Sequence, residues 1–259
     1  MENLILTEHH GPVVTVTLNR PDKLNAFTKS MWQRLGEVMQ HLSDDDAIRC
    51  IVLRGAGDRA FSPGNDISEF ESVRSNSAQA KDYGQIIAGT LDALRTCRHP
   101  TVALIKGICV GGGLEIAGTC DIRVCGTSSR FGAPINKLGL VMGYAELDAL
   151  IALAGRSTAL EILLEGRIFG AAEAKEKGLV TRVVDDAEVE NEAMATARRI
   201  AEGAPLVARW HKKFARRLAE DRPLSVPELE EGYACYDTED FRIGYRAFLD
   251  KVKPDFKGR

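Results

Sequence analysis

Residues 107–121 have the sequence GICVGGGLEIAGTCD, with three consecutive glycines at positions 111–113. They follow the apolar, β-branched run at residues 101–105, which is typical of a buried strand. The three glycines leave no side chain where the chain turns, and the residues after them can continue as a short helix. The first N–H groups of such a helix are unpaired and lie at the positive end of its dipole, which suits an anion or a developing oxyanion. Glu115, in the first turn, adds a carboxylate beside them.

A second glycine turn lies in residues 60–70, AFSPGNDISEF, after a strand predicted for residues 50–54. Two glycine turns at the ends of two strands can each supply one backbone N–H to a single oxygen atom. A single glycine turn is also typical of an ordinary loop, in which Glu115 merely complements the helix dipole. The pair of turns is therefore the informative observation.

Four segments, taken in order, resemble the crotonase (enoyl-CoA hydratase/isomerase) superfamily: residues 19–27 (NRPDKLNAF), 60–70, 107–121 and 239–258. They span nearly the whole chain. The resemblance implies an α/β fold, a crotonase-like spiral of repeated ββα units, formed roughly by residues 1–200. It also implies a helical C-terminal region at residues 201–259 that contributes to oligomerisation. Periodicity alone supports only the α/β class.

Local patterns predict individual elements along the chain. Val14, Val16 and Leu18 alternate on one face of a strand, and Thr28 is placed to cap a helix that runs to about Leu42. The predicted strands are residues 4–6, 13–18, 50–54, 101–105, 122–125 and 129–132, and the main predicted helices are 28–42, 78–96 and 188–201.

Composition narrows the class of protein. The 259 residues are 44% hydrophobic and 27% charged, which is ordinary for a globular protein, and the net charge of −3 does not favour nucleic acid as a partner. No apolar run approaches the ~20 residues that a membrane span needs, and the N-terminal residues lack the pattern of a signal peptide. We therefore expect a cytoplasmic protein without a membrane partner.

Cysteines and histidines do not suggest a metal site. The six cysteines form no Cys-x-x-Cys pair and lie mostly in apolar runs, so we expect buried free thiols. The five histidines are scattered without the spacing of metal ligands. The sequence predicts no metal.

The resemblance implies an acyl-CoA thioester substrate, with CoA present as part of the substrate and no permanently bound cofactor. Its enolate oxygen would accept hydrogen bonds from the backbone N–H groups of Asn65 and Gly112, at roughly 3 kcal/mol per donor in the transition state. The Asn65 side chain would be free to contact the acyl group, and Glu115 would transfer the proton.

The resemblance also implies residues that hold CoA. These are Pro63, Asn65, Asp66, Ile67 and Ser68 along the pantetheine and adenine, together with Lys23, Phe256 and Lys257. Many members of the superfamily carry a lysine where Ser68 stands. The C-terminal contact can come from a neighbouring subunit, because the superfamily assembles as homotrimers or dimers of trimers.

The sequence departs from the superfamily at the second acid. Hydratases carry a second glutamate where this chain has Ile135, and some isomerases carry theirs near Gly143. Glu146 or Asp148 can replace it only if the preceding loop is remodelled. With Glu115 as the single acid/base, double-bond isomerisation is favoured over hydration, and decarboxylation or thioester hydrolysis on the same site stays open.

Two other motifs suggest competing functions. Residues 55–60, GAGDRA, match a dinucleotide fingerprint, but the chain keeps turning after them instead of opening a helix. Residues 209–217 are basic, with Trp210, Phe214 and Leu218 at four-residue spacing predicted to be buried and the charges predicted to face solvent. A catalytically weak relative that binds acyl-CoA, or RNA through this helix, is the alternative.

Overall fold

The computed structural model describes residues 3–259; Met1 and Glu2, where the predicted core begins, lie outside the described residues. The strands are β1 (Ile5–His10), β2 (Val13–Leu18), β3 (Cys50–Gly55), β4 (Ala60–Ser62), β5 (Thr101–Ile105), β6 (Ile108–Val110), β7 (Ile122–Gly126), β8 (Arg130–Gly132), β9 (Phe169–Gly170) and β10 (Arg182–Val184). The helices are α1 (Lys29–Asp44), α2 (Phe70–Val73), α3 (Ser77–Thr96), α4 (Gly112–Thr119), α5 (Tyr144–Glu165), α6 (Ala171–Glu176), α7 (Val189–Ala201), α8 (Pro205–Leu218), α9 (Val226–Glu231) and α10 (Glu239–Asp250).

The larger sheet has six strands in the order β1-β2-β3-β5-β7-β10. β1 and β2 are antiparallel, and the remaining pairs are parallel. Val14, Val16 and Leu18 face the main core, as their alternation predicts. Val13 is also buried, because the opposite face of the sheet packs against α7. A parallel sheet covered on both faces hides residues that alternation alone assigns to solvent.

The smaller sheet has the order β4-β6-β8-β9. Its strand β8 was predicted at residues 129–132, whereas β4, β6 and β9 were not predicted. These three strands have only two or three residues each, which is too short for a period-two pattern to show. The two glycine turns therefore follow β4 and β6, and not β3 and β5. Since β4 and β6 are parallel neighbours, their carboxyl ends lie side by side. This pairing brings the two turns together.

The predicted helices are present. The Thr28 side chain accepts a hydrogen bond from the Met31 N–H, which confirms it as the N-cap of α1. The helix predicted at 78–96 spans Ser77–Thr96, and α4 begins at Gly112, directly after the glycine turn. α5 is interrupted at Gly155, whose φ of 78° is not helical.

The C-terminal region is helical, as predicted, but its basic helix α8 does not present a free charged face. The side chains of Arg209 and Lys212 form ion pairs with Asp46 at 3.0 Å and Asp121 at 2.8 Å, at the surface of the preceding part of the chain. The predicted solvated face is therefore wrong for these cations, which dock the helix. The predicted burial of Leu218 is also wrong, since it is 68% exposed. The division at residue 200 stays a prediction.

Residues 3–259 contain no helix that is long and apolar enough to cross a bilayer. Over the same range, no group of three or more His, Cys, Asp or Glu side chains is placed to hold a metal ion. The six cysteines are free thiols, and all except Cys235 are buried.

Candidate active site

The two glycine turns touch each other. Gly64 has a φ of +93°, and a Cβ at this position would lie 2.7 Å from the Gly112 nitrogen. Only a glycine allows this approach. Across residues 3–259, neither the Asn65 N–H nor the Gly112 N–H finds a protein acceptor. Two unpaired backbone donors therefore stand at the junction of the turns.

A cavity of about 130 Å³ opens beside these donors. It brings together five predicted residues: Pro63, Asn65, Ile67, Gly112 and Glu115. The other side chains and backbone segments that line it are Phe70, Arg74, Val110, Gly111, Pro134, Ile135, Leu138, Leu140, Val141, Met142 and Glu146. The wall is mostly apolar with a few converging polar groups, which is the usual composition of a small-molecule site.

Glu115 is half-buried and places a carboxyl group in this cavity. Its Oε2 atom is shielded from solvent and has no hydrogen-bond partner within residues 3–259. Burial raises its pKa to about 8; the negative charge of Glu146 adds to this rise, and the positive charge of Arg74 opposes it. A carboxyl group with a pKa near the working pH can both donate and accept a proton, as acid–base catalysis requires.

Glu146 also faces the cavity, and Asp148 does not. Glu146 is the third residue of α5, and its Oε2 accepts a hydrogen bond from the Gly143 N–H at 2.5 Å. Asp148 is exposed and lies outside the cavity wall. Ile135 lines the wall where the superfamily's second glutamate was expected. The second carboxylate of this cavity thus comes from the start of α5.

The Asn65 side chain is held in place. Its Oδ1 accepts hydrogen bonds from Trp32 Nε1 at 2.7 Å and from the Tyr83 hydroxyl at 3.4 Å. The expectation that this amide is free is therefore wrong for its oxygen, and only the Nδ2 group is left to contact a ligand. Sequence reasoning missed Trp32 and Tyr83, although a buried tryptophan or tyrosine usually needs a polar partner, which was the available signal.

Three residues predicted to hold CoA lie outside the cavity wall: Asp66, Ser68 and Lys23. The Asp66 carboxylate accepts hydrogen bonds from Ser68 Oγ and from Arg20 Nη1, each at 2.7 Å. The hydrogen bond from Ser68 is the main cause that lowers the pKa of Asp66, followed by the contact with Arg20. Asp66 thus braces the turn that carries Asn65. Lys23 is exposed, and contact with CoA stays a prediction for all three.

Phe256 and Lys257 lie far from the cavity. The Phe256 carbonyl oxygen accepts a hydrogen bond from Arg49 Nη2 at 2.6 Å, next to the start of β3. The Lys257 N–H donates to the Asp240 carboxylate at 2.6 Å. α1 separates the two places, since it begins beside the Asn65 turn and its last turn leads to residue 49. Within one subunit these residues do not line the cavity, and their contact with CoA stays a prediction.

Comparison with known proteins gives consistent results. Residues 8–259 match the family model described as enoyl-CoA hydratase/isomerase. A short-chain-enoyl-CoA hydratase from Clostridium acetobutylicum is 32% identical over 99% of both chains. A crotonyl-CoA hydratase from Syntrophomonas wolfei is 30% identical over 98% of both.

The fold comparison covers the whole chain. A crystal structure of an enoyl-CoA hydratase/carnithine racemase from Magnetospirillum magneticum is 49% identical, with a TM-score of 0.98 over 100% of this chain and 97% of that one. A putative family protein from Hyphomonas neptunium gives a TM-score of 0.94 at 34% identity over 99% and 98% of the two chains. These matches confirm the predicted α/β fold with its helical C-terminal region.

Proposed function

Because the chain belongs to the enoyl-CoA hydratase/isomerase family, we propose that it adds water to short 2-enoyl-CoA thioesters. One observation carries the proposal: Glu115 and Glu146 line one cavity with the unpaired N–H groups of Asn65 and Gly112. The names of the two bacterial relatives, a short-chain-enoyl-CoA hydratase and a crotonyl-CoA hydratase, support the same reaction. The cavity volume of about 130 Å³ corresponds to roughly four waters at about 30 Å³ each, which favours a short acyl group.

The backbone donors stabilise the charge that hydration creates. When water adds to Cβ of the conjugated thioester, electron density moves to the carbonyl oxygen and gives an enolate. The N–H groups of Asn65 and Gly112 would hold this oxygen. Two preorganised donors in a largely apolar cavity lower the barrier by several kcal/mol. Trp32 and Tyr83 keep the Asn65 turn in place through its side chain.

The two carboxyl groups take opposite roles. Glu115, whose pKa is raised to about 8, holds a proton near neutral pH and donates it to Cα. Glu146, at the cavity wall, accepts the proton that the attacking water loses. Solvent then returns that proton to Glu115 and restores the starting state. Interacting carboxyl groups in different environments are the usual arrangement for an acid and a base in one site.

Isomerisation is the second candidate, and one observation favours it. Glu146 Oε2 already accepts the hydrogen bond that caps α5, which limits its freedom to hold a water. Glu115 alone can move a proton between two carbons of one acyl chain. A 3-enoyl-CoA would then be converted to the 2-enoyl isomer on the same oxyanion site. Decarboxylation, thioester hydrolysis and simple acyl-CoA binding are further outcomes that the same experiment resolves.

The test is turnover of 2-enoyl-, 3-enoyl- and malonyl-type CoA thioesters in heavy-oxygen water, read by mass spectrometry. We expect one heavy oxygen atom per 2-enoyl turnover by the wild type, with losses of about 100-fold or more in both Glu115→Gln and Glu146→Gln. Asp148→Asn, on the same helix but outside the cavity, serves as the matched control and should keep full activity.

Three outcomes contradict the hydration proposal. Isomerisation without oxygen incorporation, lost in Glu115→Gln and kept in Glu146→Gln, would establish the one-base reaction. Release of CoA or carbon dioxide would point to hydrolysis or decarboxylation. Binding of CoA esters without any turnover would identify a binding protein.

We further infer that the chain forms a homotrimer or a dimer of trimers through its C-terminal helices. Phe248 and Leu249 of α10 are 84% and 71% exposed, and Tyr233, which follows α9, is 71% exposed. Clustered exposed apolar side chains mark association surfaces. Such an assembly is also what would bring Phe256 and Lys257 to the CoA of a neighbouring copy.

A further inference from the structure

Arg74 places a cation in the wall of the candidate cavity. It directly follows α2, and its guanidinium carbon lies 5.2 Å from the ring centroid of Phe70 and 5.2 Å from that of Tyr83. Tyr83 is fully buried, and its hydroxyl donates to Asn65 Oδ1. Arg74 is therefore one side chain away from the turn that supplies the proposed enolate donor.

Arg74 has no anionic partner of its own. Within residues 3–259, no carboxylate oxygen lies within 4.0 Å of its guanidinium, and its buried Nε atom has no hydrogen-bond acceptor. Glu115 does not neutralise it, because burial keeps the pKa of Glu115 raised despite the positive charge of Arg74. The guanidinium of Arg74 is held by aromatic faces alone. The Arg20 and Arg209 side chains differ from it, since both form ion pairs.

A partly buried guanidinium without a partner is costly, and the cost is offset when an anionic ligand enters. Its planar fork matches a carboxylate, which accepts two parallel N–H hydrogen bonds. The aromatic rings beneath Arg74 fix the plane of the fork before the ligand arrives. The cavity also contains Glu115 and Glu146, so an acidic ligand without a matching cation would be repelled there.

We propose that Arg74 binds a carboxylate at the far end of the acyl group, so that the substrate is the CoA monothioester of a short unsaturated dicarboxylic acid. This inference rests on the proposed function, since it assumes a thioester in the cavity. The phosphates of CoA are the other source of anionic oxygens. The acyl side is favoured because Arg74 shares a cavity with Glu115 and stacks on buried Tyr83, whereas Asp66 and Ser68 lie outside that cavity.

The experiment compares glutaconyl-CoA, which ends in a carboxylate, with crotonyl-CoA, which does not. Arg74→Met should lower the ratio of kcat/KM for glutaconyl-CoA to kcat/KM for crotonyl-CoA by about 100-fold, which is the value of a lost pair of charge-assisted hydrogen bonds. Arg74→Lys keeps the charge but not the planar guanidinium, so its preference for glutaconyl-CoA should lie between those of the wild type and Arg74→Met. Arg34→Met, at an exposed site on α1, is the control for loss of an arginine.

A binding arm separates this inference from the proposed reaction. The saturated analogues glutaryl-CoA and butyryl-CoA are titrated into the wild type and Arg74→Met by calorimetry. Tighter binding of glutaryl-CoA by the wild type, lost in Arg74→Met, supports Arg74 even when no hydration is observed. The same titrations with pantetheine thioesters, which lack the nucleotide phosphates, should preserve the difference.

Two results would overturn the inference. An equal loss for both acyl groups that disappears with the pantetheine thioesters would assign Arg74 to a CoA phosphate. Unchanged selectivity in Arg74→Met, with a melting temperature close to that of the wild type, would show that Arg74 does not bind an anionic group of the ligand.

Discussion

Replacing Glu115 by glutamine should make the protein more stable while it removes activity. The pKa of Glu115 is raised from 4.5 to about 8 in the folded protein, mainly by burial. Between these two values the unfolded chain loses the proton and the folded protein keeps it. The folded state therefore binds more protons, and its stability falls as the pH rises from 4.5 to about 8. Glutamine cannot ionise, so this loss is absent in Glu115→Gln.

The size of the effect follows from the shift. At pH 7, which lies 2.5 units above the ordinary value, about 1.4 kcal/mol per unit gives about 3 kcal/mol. Solvent that enters the cavity reduces this figure, so we expect the unfolding free energy of the variant at pH 7 to exceed that of the wild type by about 2 kcal/mol or more. At pH 4.5 and below, the two proteins should have nearly equal free energies of unfolding.

The assay is urea unfolding of the wild type and Glu115→Gln at several pH values from 4.5 to 8.5. One protein concentration is used throughout, because the unfolding of an oligomer depends on concentration. Other titrating groups cancel in the difference between the two proteins. Glu146→Gln removes a charge that raises the pKa of Glu115 and should reduce the pH dependence of the wild type. Asp148→Asn is exposed and should leave it unchanged. A difference that is constant with pH, or a wild type that is the more stable at pH 8, refutes the reasoning.

Four further outcomes are expected. Gly64→Ala should reduce kcat by at least about 100-fold, because the added methyl group would crowd a proposed oxyanion donor. Gly57→Ala is the control for backbone strain, because Gly57 also has a positive φ but has open space around it, and this variant should keep its activity. Trp32→Phe removes the 2.7 Å hydrogen bond to Asn65 and should lower kcat more than it raises KM, with a loss of about 1–3 kcal/mol in unfolding free energy. Burial lowers the pKa of His99 from 6.5 to about 4, so the unfolding free energy of the wild type should fall by about 3 kcal/mol relative to that of His99→Gln as the pH falls from 6.5 to 4. The same pH dependence of the unfolding free energy in both proteins, measured by denaturant titration, would contradict this. Phe248→Ser should shift the sedimenting species from the proposed trimer or dimer of trimers to smaller forms, and an unchanged mass would place the interface elsewhere.

Local sequence rules determined the elements that are long or capped. The β-branched run at residues 101–105 is a strand over the same residues, and the Thr28 hydroxyl caps α1 as its position predicted. These features depend on neighbours within a few residues, so the linear sequence contains them. The glycines at 111–113 and the carboxylate of Glu115 likewise define one wall of the site without reference to the rest of the fold.

Sequence reasoning did not identify β4 and β6, because strands of three residues leave no period in the sequence. Their pairing is nevertheless what joins the two turns, through contact between Gly64 and Gly112. Pairing of strands separated by many residues is decided by packing of the whole sheet. No pattern within either segment encodes which neighbour it will have.

The tertiary structure also decides which side chains surround the cavity. Glu146 and Arg74 belong to segments of ordinary composition, one at the start of α5 and one after α2, and only the folded chain turns both toward Glu115. The α8 cations were predicted to face solvent, yet Arg209 and Lys212 pair with acids from distant parts of the chain. The sequence by itself determined the glycine turns, the cap of α1 and the position of the Glu115 carboxylate beside the second turn, since those follow from short-range backbone chemistry. The tertiary structure decided which distant charges meet them, since a charge pairs with whatever the packed fold brings within a few ångströms.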